Sequence, residues 1–269
     1  FMTVEDFTGS MQIIASKASY ADYDNLANLD LGDIVQATGV TVLSKTNEQS
    51  ILLETIVCLS KSLLPPPDNF FGVSDVETKY RQRYLDTMIN KNARANFVIR
   101  TYVIRAIREF LEENDFLEVE TPTLNSIKSG ASAKPFETHH NALDINLFLR
   151  IAPELYLKRL LVGGFDKVFE IGRNYRNEGS SSRHNPEFTM LEFYEAYGRF
   201  DDLIDYAKDM FQYIEIYLRE HLPANIANIY HELSQNRSFT FNEFTSVTML
   251  QAVHNALAKR NLEMDDECN

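Results

Sequence analysis

The sequence lacks the residues on which small stapled or metal-held domains depend. It has two cysteines, Cys58 and Cys268, and no tryptophan in 269 residues. Two thiols so far apart do not make a disulfide framework or a zinc site, which favours a reducing, cytoplasmic location. Apolar residues make up 44% and charged residues 24%, values typical of a soluble globular protein with enough chain for one large or two ordinary domains.

Long apolar runs and an excess of positive charge are also missing. No apolar stretch approaches the roughly 18 residues of a membrane span and no signal peptide is visible, so we expect no membrane association. Lys and Arg number 26 against 39 Asp and Glu, a formal net charge of −13. This balance argues against indiscriminate nucleic-acid binding but allows a local basic groove. The opening Phe1 suggests that the chain begins inside a longer protein.

Residues 1–62 are predicted to form a small all-β unit. Strands are expected at 1–4, 11–14, 34–43 and 50–59, with a turn at 6–9. Short strands at this spacing indicate a small barrel or sandwich, and a barrel would be truncated by at least one strand before Phe1. Three consecutive prolines then form a stiff spacer, so a linker is expected at 63–74.

Residues 75–269 are predicted to form a second domain that mixes helices and strands. Apolar side chains recur at spacings of three and four over 93–113, which predicts a long amphipathic helix. Asn114 and Asp115 tolerate left-handed backbone and are expected to end it. Strands are expected at 116–120, 136–139 and 147–151, a short helix at 153–161, and further helix from Phe200.

The stretch 168–197 is predicted to be a β-hairpin around a polar loop at 179–186. Because side chains alternate between the two faces of a strand, alternate residues of each strand share a face. The side chains of interest are Arg176 and Glu178 on the first strand and Phe188, Glu192 and Tyr194 on the second. If the two faces coincide, they offer one surface to a phosphate, a flat heterocycle and a cation. Glu170, Glu192 and Glu195 lie among apolar residues, where a carboxylate needs a partner.

Each of these side chains also has a purely structural interpretation. Arg176 can grip two oxygens of a phosphate or carboxylate and stabilise charge on an α-phosphate, or it can pair with Glu178 or Glu192. Phe188 can stack on a base or belong to the core. Tyr194 and Glu192 together suit an ammonium group, or they form a buried tyrosine–glutamate pair.

Other candidate sites give weaker signals. Small residues at 129–133 let a ligand approach the backbone, but no GxGxxG or Walker pattern occurs, which excludes Rossmann and P-loop nucleotide sites. His139 and His140 are adjacent on a predicted strand and point to opposite faces, which favours a structural role over a metal site. Glu154 starts a helix, where the helix dipole alone explains a carboxylate unless the hairpin lies nearby.

Longer stretches of the sequence resemble a known enzyme family. FLEVETPTL (116–124) resembles motif 1 of the class II aminoacyl-tRNA synthetases, and YRNEG (175–179) with the strand after it resembles motif 2. Within that class, the following segments are similar to lysyl-tRNA synthetases: YRQRYLD (80–86), SGASAKPFETHHNAL (129–143), LRIAPELYLKRLLVGGFDKVFEIGR (149–173) and RHNPEFTMLEFYEAY (183–197). The resemblance covers nearly the whole chain.

This resemblance implies a mixed α/β (α+β) fold with two domains. Residues 1–62 would be a truncated OB-fold barrel that binds the tRNA anticodon, and residues 75–269 a class II catalytic domain whose antiparallel sheet is flanked by helices. The implied reaction is the ATP-dependent ligation of L-lysine to tRNA(Lys) through lysyl-adenylate, by a homodimer that uses ATP and Mg²⁺.

The family's catalytic residues map onto the predicted hairpin. Arg176 would bridge the ATP α-phosphate and the lysine carboxylate. Glu178 would hydrogen-bond the adenine, and Phe188 would stack beneath it. His184 and Asn185 would lie on the phosphate and ribose side. The lysine pocket would be formed by Gly130 through its carbonyl, Glu154, Glu192 and Tyr194.

The resemblance also implies surfaces away from the hairpin. Phe1 would stack on an anticodon base, while Gln12 and Glu48 would read base edges. Pro122 would lie at the homodimer interface, with the 93–113 helix packed along it.

Some features depart from the family's pattern. The chain ends at Asn269, before the third motif that supplies a second arginine and the acidic residues for Mg²⁺, so the sequence predicts a partial synthetase that does not catalyse as written. Asp115 and Ser129 stand where the family usually has glycine. Two other functions stay open: an enzyme that lysylates a protein, against which residues 1–62 argue, and a non-catalytic fragment that binds lysine, tRNA or a partner.

Overall fold

The structure is a computed structural model that describes residues 1–64, 66–67, 75–128, 130–236, 241 and 243–260. The chain divides into two units, one formed by Phe1–Thr101 with Leu222–Asn236 and the other by Tyr102–His221 with Arg237–Asn269. Both units contain helix, and the predicted mixed α/β class is confirmed. Most of the linker expected at 63–74 lies outside the described residues, as do Ser129 and Cys268.

The helices and strands follow each other along the chain with few long connections. The strands are β1 (Met2–Glu5), β2 (Ser10–Ile14), β3 (Ile34–Leu43), β4 (Gln49–Ser60), β5 (Leu117–Glu118), β6 (Leu124–Asn125), β7 (Glu137–His140), β8 (Ile145–Leu149), β9 (Lys167–Tyr175) and β10 (Glu187–Glu195). The helices are α1 (Val76–Arg81), α2 (Arg83–Ile89), α3 (Lys91–Glu113), α4 (Glu154–Val162), α5 (Phe200–His221), α6 (Ala224–Gln235) and α7 (Met249–Ala258).

A four-stranded sheet in the order β1-β2-β4-β3 opens the first unit. The β2–β4 pair is parallel and the other two pairs are antiparallel. Asp6 closes the β1–β2 turn, because its Oδ1 accepts hydrogen bonds from the backbone N–H groups of Thr8 at 2.7 Å and Gly9 at 3.2 Å. Ile13 of β2 and Leu53 of β4 are buried apolar side chains of this sheet. All four strands expected in this region are confirmed, with ends that differ by one residue or less.

The long helix predicted over 93–113 is confirmed as α3, which begins two residues earlier. Asp115 has a φ of 65°, so the left-handed backbone expected at the end of this helix is present. Pro153 precedes the first turn of α4 rather than lying within it. Among the helices of the described residues, none is long and apolar enough to cross a membrane.

Two three-stranded sheets belong to the second unit. In one, β9 pairs antiparallel with β10 over nine residues and parallel with β5, and in the other the order is β6-β8-β7. The strand expected at 116–120 is only two residues long, because β5 pairs with β9 at Leu117 and Glu118 alone. The β9–β10 hairpin is therefore the longest continuous ladder of this unit.

One face of the β9–β10 hairpin supplies the core of the second unit. Phe169 is completely buried there, together with Phe110, Leu111, Phe116 and Met210 of the flanking helices and turn. The Phe116 ring meets Phe193 of β10 edge-on, with ring centroids 5.6 Å apart. Burial of this face fixes the orientation of the hairpin. The residues between the buried ones along each strand therefore project from the opposite face.

Candidate functional site

The register of the hairpin brings the predicted site residues to one face. Residues directly opposite in an antiparallel pair project to the same side, and Phe188 lies opposite Asn174, Glu192 opposite Glu170 and Tyr194 opposite Val168. β9 ends at Tyr175, three residues short of the sequence expectation. The backbone N–H of Arg176 still donates to the Pro186 carbonyl at 2.9 Å, so pairing continues past the strand end.

Arg176 lies over the ring of Phe188, with the guanidinium carbon 5.3 Å from the ring centroid. Its Nε is buried and has no hydrogen-bond partner among the described residues. The ion-pair alternatives for Arg176 are occupied elsewhere: Glu178 accepts from the backbone N–H of Lys134 at 3.2 Å, and Glu192 accepts from the Tyr194 hydroxyl at 2.8 Å. The hydrogen-bond donors of the Arg176 guanidinium are therefore available to another group.

The other end of the face is an acidic pocket. Burial raises the pKa of Glu192, and the nearby Glu154 and Glu170 raise it further, while the hydrogen bond from Tyr194 opposes them. Burial also raises the pKa of the Tyr194 phenol, and its bond to Glu192 adds to this. Glu154 begins α4 and accepts from Lys158 Nζ at 2.6 Å. A cation that entered here would relieve repulsion between carboxylates.

Gly130 lies against the same pocket. Its φ is +93°, a conformation that other residues rarely adopt, and a Cβ built on it would lie 3.2 Å from the Ala152 carbonyl oxygen and 3.6 Å from Glu154 Cβ. The loop can therefore approach the start of α4 only because glycine stands there. The structure brings together Gly130, Glu154, Glu192 and Tyr194, the set expected to hold lysine.

Sequence reasoning missed a buried ion pair on the same face of the hairpin as the pocket. Arg150 and Glu170, whose side chains are 4% and 2% exposed, form a salt bridge. Thr121 Oγ1 donates to Glu170 Oε2 at 2.7 Å, and Arg150 Nε donates to the Arg173 carbonyl at 2.9 Å. A Cβ on Gly172 would lie 2.1 Å from Arg150 Nη2. Glycine inside a strand signals such a close approach, and that signal was present in the sequence.

The partners expected for the three glutamates of the hairpin are all present. Glu170 pairs with Arg150, Glu192 accepts from Tyr194, and Glu195 lies 3.2 Å from Lys167 Nζ. This fulfils the rule that a carboxylate among apolar residues needs a compensating group.

The loop between β9 and β10 holds the other two expected ATP residues. His184 and Asn185 are both exposed. The His184 ring Nδ1 lies 2.8 Å from Ser181 Oγ, and the backbone groups of these two residues also bond to each other, which makes the loop a tight turn. Their contribution to ATP binding stays a prediction.

Metal ligation has no basis in the residues that the structure describes. They contain no group of three or more His, Cys, Asp and Glu side chains that could hold an ion. His139 Nδ1 instead lies 3.1 Å from Asn146 Oδ1 of the neighbouring strand, in agreement with a structural role. The described side chains therefore offer no ready set of ligands for Mg²⁺.

Two of the three predicted anticodon residues contact each other in the first unit. Gln12 Nε2 donates to Glu48 Oε2 at 3.1 Å, and Gln12 lies opposite Thr3 in the β1–β2 register. Phe1 immediately precedes β1 and is 85% exposed. Pro122, the expected dimer residue, is exposed in the β5–β6 connection of the second unit.

A helix-backed hairpin that displays an arginine and an acidic pocket on its open face is the arrangement of a class II synthetase domain. The chain belongs to the family described as tRNA synthetases class II (D, K and N), whose model matches residues 75–268.

Several curated relatives of the chain are named lysine–tRNA ligase. That of Pseudomonas savastanoi pv. phaseolicola is 53% identical over 215 residues, 79% of this chain and 43% of the relative. That of Aromatoleum aromaticum is 46% identical over 257 residues, 94% of this chain and 50% of the relative. The Legionella pneumophila (strain Corby) protein is 50% identical over 215 residues, 80% and 43% of the two chains. The chain spans about half the length of the curated relatives it matches.

Proposed function

We propose that the chain takes part in the ATP-dependent ligation of L-lysine to tRNA(Lys) through lysyl-adenylate. The observation that carries this proposal is the β9–β10 register, with Arg176 and Phe188 towards one end of a polar face and Glu192 and Tyr194 at the other. The first end suits a phosphate and a base, and the second suits an ammonium group. The names of the relatives support lysine as the amino acid.

The first half-reaction needs positioning and charge stabilisation rather than proton transfer. A carboxylate oxygen of lysine attacks the α-phosphorus of ATP, a new P–O bond forms, and the bond to pyrophosphate breaks. Arg176 would hold the α-phosphate and the lysine carboxylate together and stabilise the charge that builds between them. In the second half-reaction the terminal ribose hydroxyl of tRNA attacks the lysyl carbonyl, gives up its proton, and AMP leaves.

The nucleotide would lie along the Arg176 end of the face. Adenine would stack on Phe188 and hydrogen-bond to Glu178, while His184 and Asn185 would face the phosphates and ribose. The exposure of Glu178 and of the loop is what an incoming base requires. Mg²⁺ that accompanies ATP would neutralise phosphate charge, and we assign it no ligand among these residues.

Lysine would occupy the acidic end. It carries two ammonium groups, which can donate hydrogen bonds to the carboxylates of Glu154 and Glu192, to the Tyr194 hydroxyl oxygen and to the Gly130 carbonyl. Arg150 compensates the charge of Glu170, so the carboxylates of Glu154 and Glu192 give the pocket its negative charge.

The rest of the chain would serve the tRNA and the assembly. Residues 1–62 would bind the anticodon through Phe1, Gln12 and Glu48, residues 63–74 would be a linker, and residues 75–269 would be the catalytic domain. We further propose a homodimer with Pro122 at its interface, and a cytoplasmic location without membrane attachment.

Lysine-dependent exchange of pyrophosphate into ATP tests the proposal. It is measured on the full-length product of the gene that encodes this chain, with lysine, aspartate and asparagine as separate amino acids. Exchange with lysine alone is the expected result. Binding of lysine without exchange would favour a non-catalytic fragment and contradict the proposal.

The acceptor is tested by a second assay. Radiolabelled lysine is supplied with purified tRNA or with a protein extract free of RNA, and acid-precipitable label is counted. Label on tRNA is expected. Label on protein alone would replace the tRNA ligase with an enzyme that lysylates proteins.

A further inference from the structure

Asn174 is a buried amide that has no hydrogen-bond partner within the described part of the chain. Its side chain is inaccessible to solvent, and neither Oδ1 nor Nδ2 bonds to any described residue. Folded proteins rarely leave such a group unpaired, because the lost hydration is not replaced. Asn174 is nevertheless on the polar face of the hairpin, directly opposite Phe188.

A second unpaired group lies two residues along the chain. Arg176 Nε is a buried donor without an acceptor, whereas Asn174 Oδ1 is a buried acceptor without a donor. Residues two apart on an extended chain project to the same side. The two groups do not bond to each other while the guanidinium is seated over the Phe188 ring, 5.3 Å from its centroid.

The proposed function requires the Arg176 guanidinium to move away from the Phe188 ring. An adenine stacked on that side of Phe188 takes the space that the guanidinium occupies, so Arg176 must leave the ring when the nucleotide enters. Once it leaves, Arg176 Nε needs an acceptor within the site. Asn174 Oδ1 offers one on the same face, and the same contact would give this buried oxygen a donor.

We propose that Asn174 is a positioning residue for Arg176. In the nucleotide-bound site, Asn174 Oδ1 accepts a hydrogen bond from Arg176 Nε, which fixes the plane of the guanidinium. The two Nη groups then remain free to bind the α-phosphate and the lysine carboxylate together. This inference rests on the proposed function, because it needs a base on Phe188 and an anion before Arg176.

The consequence for catalysis is a change in rate more than in affinity. Arg176 acts on charge that builds during attack, so a guanidinium with the wrong tilt loses stabilisation of the transition state while ground-state contacts persist. We therefore expect Asn174 variants to lower kcat for lysine-dependent pyrophosphate exchange and to leave KM for ATP within about threefold.

Asn174→Leu separates a positioning role from a structural one. Leucine has a similar size and no polar atom, so it removes an unpaired buried amide and should keep or raise the melting temperature. Exchange by the same variant should fall at least tenfold in kcat. Asn174→Asp keeps an acceptor for Arg176 and should retain more exchange than the leucine variant.

Asn125→Leu is the matched control. Asn125 Oδ1 is also buried without a partner, but it belongs to β6, outside the β9–β10 pair. Its replacement should change the melting temperature without lowering exchange.

Three results would overturn the inference while the proposed function stood: an Asn174→Leu variant with wild-type kcat, one that loses stability and activity in parallel, or an aspartate variant no better than leucine. A wild-type protein without lysine-dependent exchange would overturn both proposals.

Discussion

At the scale of single residues, Arg176 differs from the other arginines of its hairpin. Arg173, three positions earlier, forms an exposed ion pair with Glu187 at 3.2 Å. Arg176 has a cation–π contact instead of a carboxylate partner. A side chain that retains unused donors inside a site is available to a ligand, and this distinguishes a functional arginine from a surface ion pair.

Replacement of Arg176 tests this distinction. Arg176→Ala should lower lysine-dependent pyrophosphate exchange by about 10²–10³-fold, as loss of a donor to developing charge does. The variant should remain folded and assembled, as judged by its melting temperature and its elution on size exclusion.

Arg173→Ala is the control for Arg176, with an expected change of less than twofold in the same assay. Equal losses in the two variants would show that charge in general, rather than the Arg176 site, supports the reaction.

Glu192 has an electrostatic cost that lysine would remove. Its pKa is raised by burial in the folded state, so the folded protein binds a proton there more readily than the unfolded chain does. The stabilisation from this group is present below the ordinary glutamate pKa and is lost as pH rises through the raised pKa. At neutral pH the ionised Glu192 therefore lowers the free energy of unfolding.

Glu192→Gln should raise the melting temperature at pH 7 without ligands, and this gain should disappear as pH falls below about 4. The same variant should raise KM for lysine about 10²-fold, because a buried charge partner of the ammonium is lost.

Glu187→Gln, at the exposed start of the same strand, should change neither the melting temperature nor KM for lysine. A Glu192→Gln variant that is less stable at neutral pH would contradict the assigned electrostatics.

At the scale of elements, the hairpin depends on the buried ion pair between Arg150 and Glu170. Arg150 directly follows β8, and its guanidinium contacts Glu170 and the Arg173 carbonyl in β9 and the Thr121 carbonyl before β6. One buried guanidinium therefore ties the hairpin to two segments that precede it in sequence. The space it needs exists because Gly172 has no side chain. Removal of one partner from such a pair leaves an uncompensated buried charge.

Gly172→Ala should therefore lower the free energy of unfolding by about 3–5 kcal/mol, since its Cβ displaces Arg150 from Glu170. Gly179→Ala, in the loop of the same hairpin, has nothing within 4 Å of its Cβ and should cost far less. Chemical denaturation measures both values. Similar losses in the two variants would mean that glycine flexibility, rather than the Arg150 contact, is what Gly172 provides.

The hairpin and α3 were predictable because their patterns are local. Apolar side chains such as Phe169 and Phe193 alternate with polar ones, and Asp115 is a residue type that accepts the left-handed conformation in which α3 ends. The ion pair between Arg150 and Glu170 could not be predicted from the sequence, because the two residues are 20 positions apart and meet through the packing of several segments. The unpaired amide of Asn174 depends on how the side chains around it pack, which no spacing rule specifies.

At the scale of the whole molecule, the two units suggest two separable tasks. The polar face of the hairpin lies in the second unit, and the Phe1, Gln12 and Glu48 surface lies in the first. If the proposed function holds, amino-acid activation depends on the second unit and tRNA affinity depends in addition on the first. Substitutions in the first unit should then affect charging without affecting exchange.

Phe1→Ala tests this division of tasks. Base stacking on an aromatic side chain is worth about 1–3 kcal/mol, so KM for tRNA in the charging assay should rise roughly 5- to 150-fold. Pyrophosphate exchange without tRNA should keep its wild-type rate.

Phe7→Ala is the control, because Phe7 is also exposed but lies in the β1–β2 turn. An unchanged KM for Phe1→Ala, or an equal rise in both variants, would remove Phe1 from the anticodon surface.

The guanidinium seated on Phe188 has a consequence for the end of the catalytic cycle. In the proposed reaction, AMP would be the last occupant of the Phe188 ring, after lysine has passed to the tRNA. Arg176 then has no phosphoryl–carboxylate pair to hold, and it can return to the ring only as the base departs. A cation–π contact of about 0.5–2 kcal/mol weakens AMP binding roughly 2- to 30-fold. In the proposed cycle, the contact between Arg176 and the Phe188 ring would thus also favour product release.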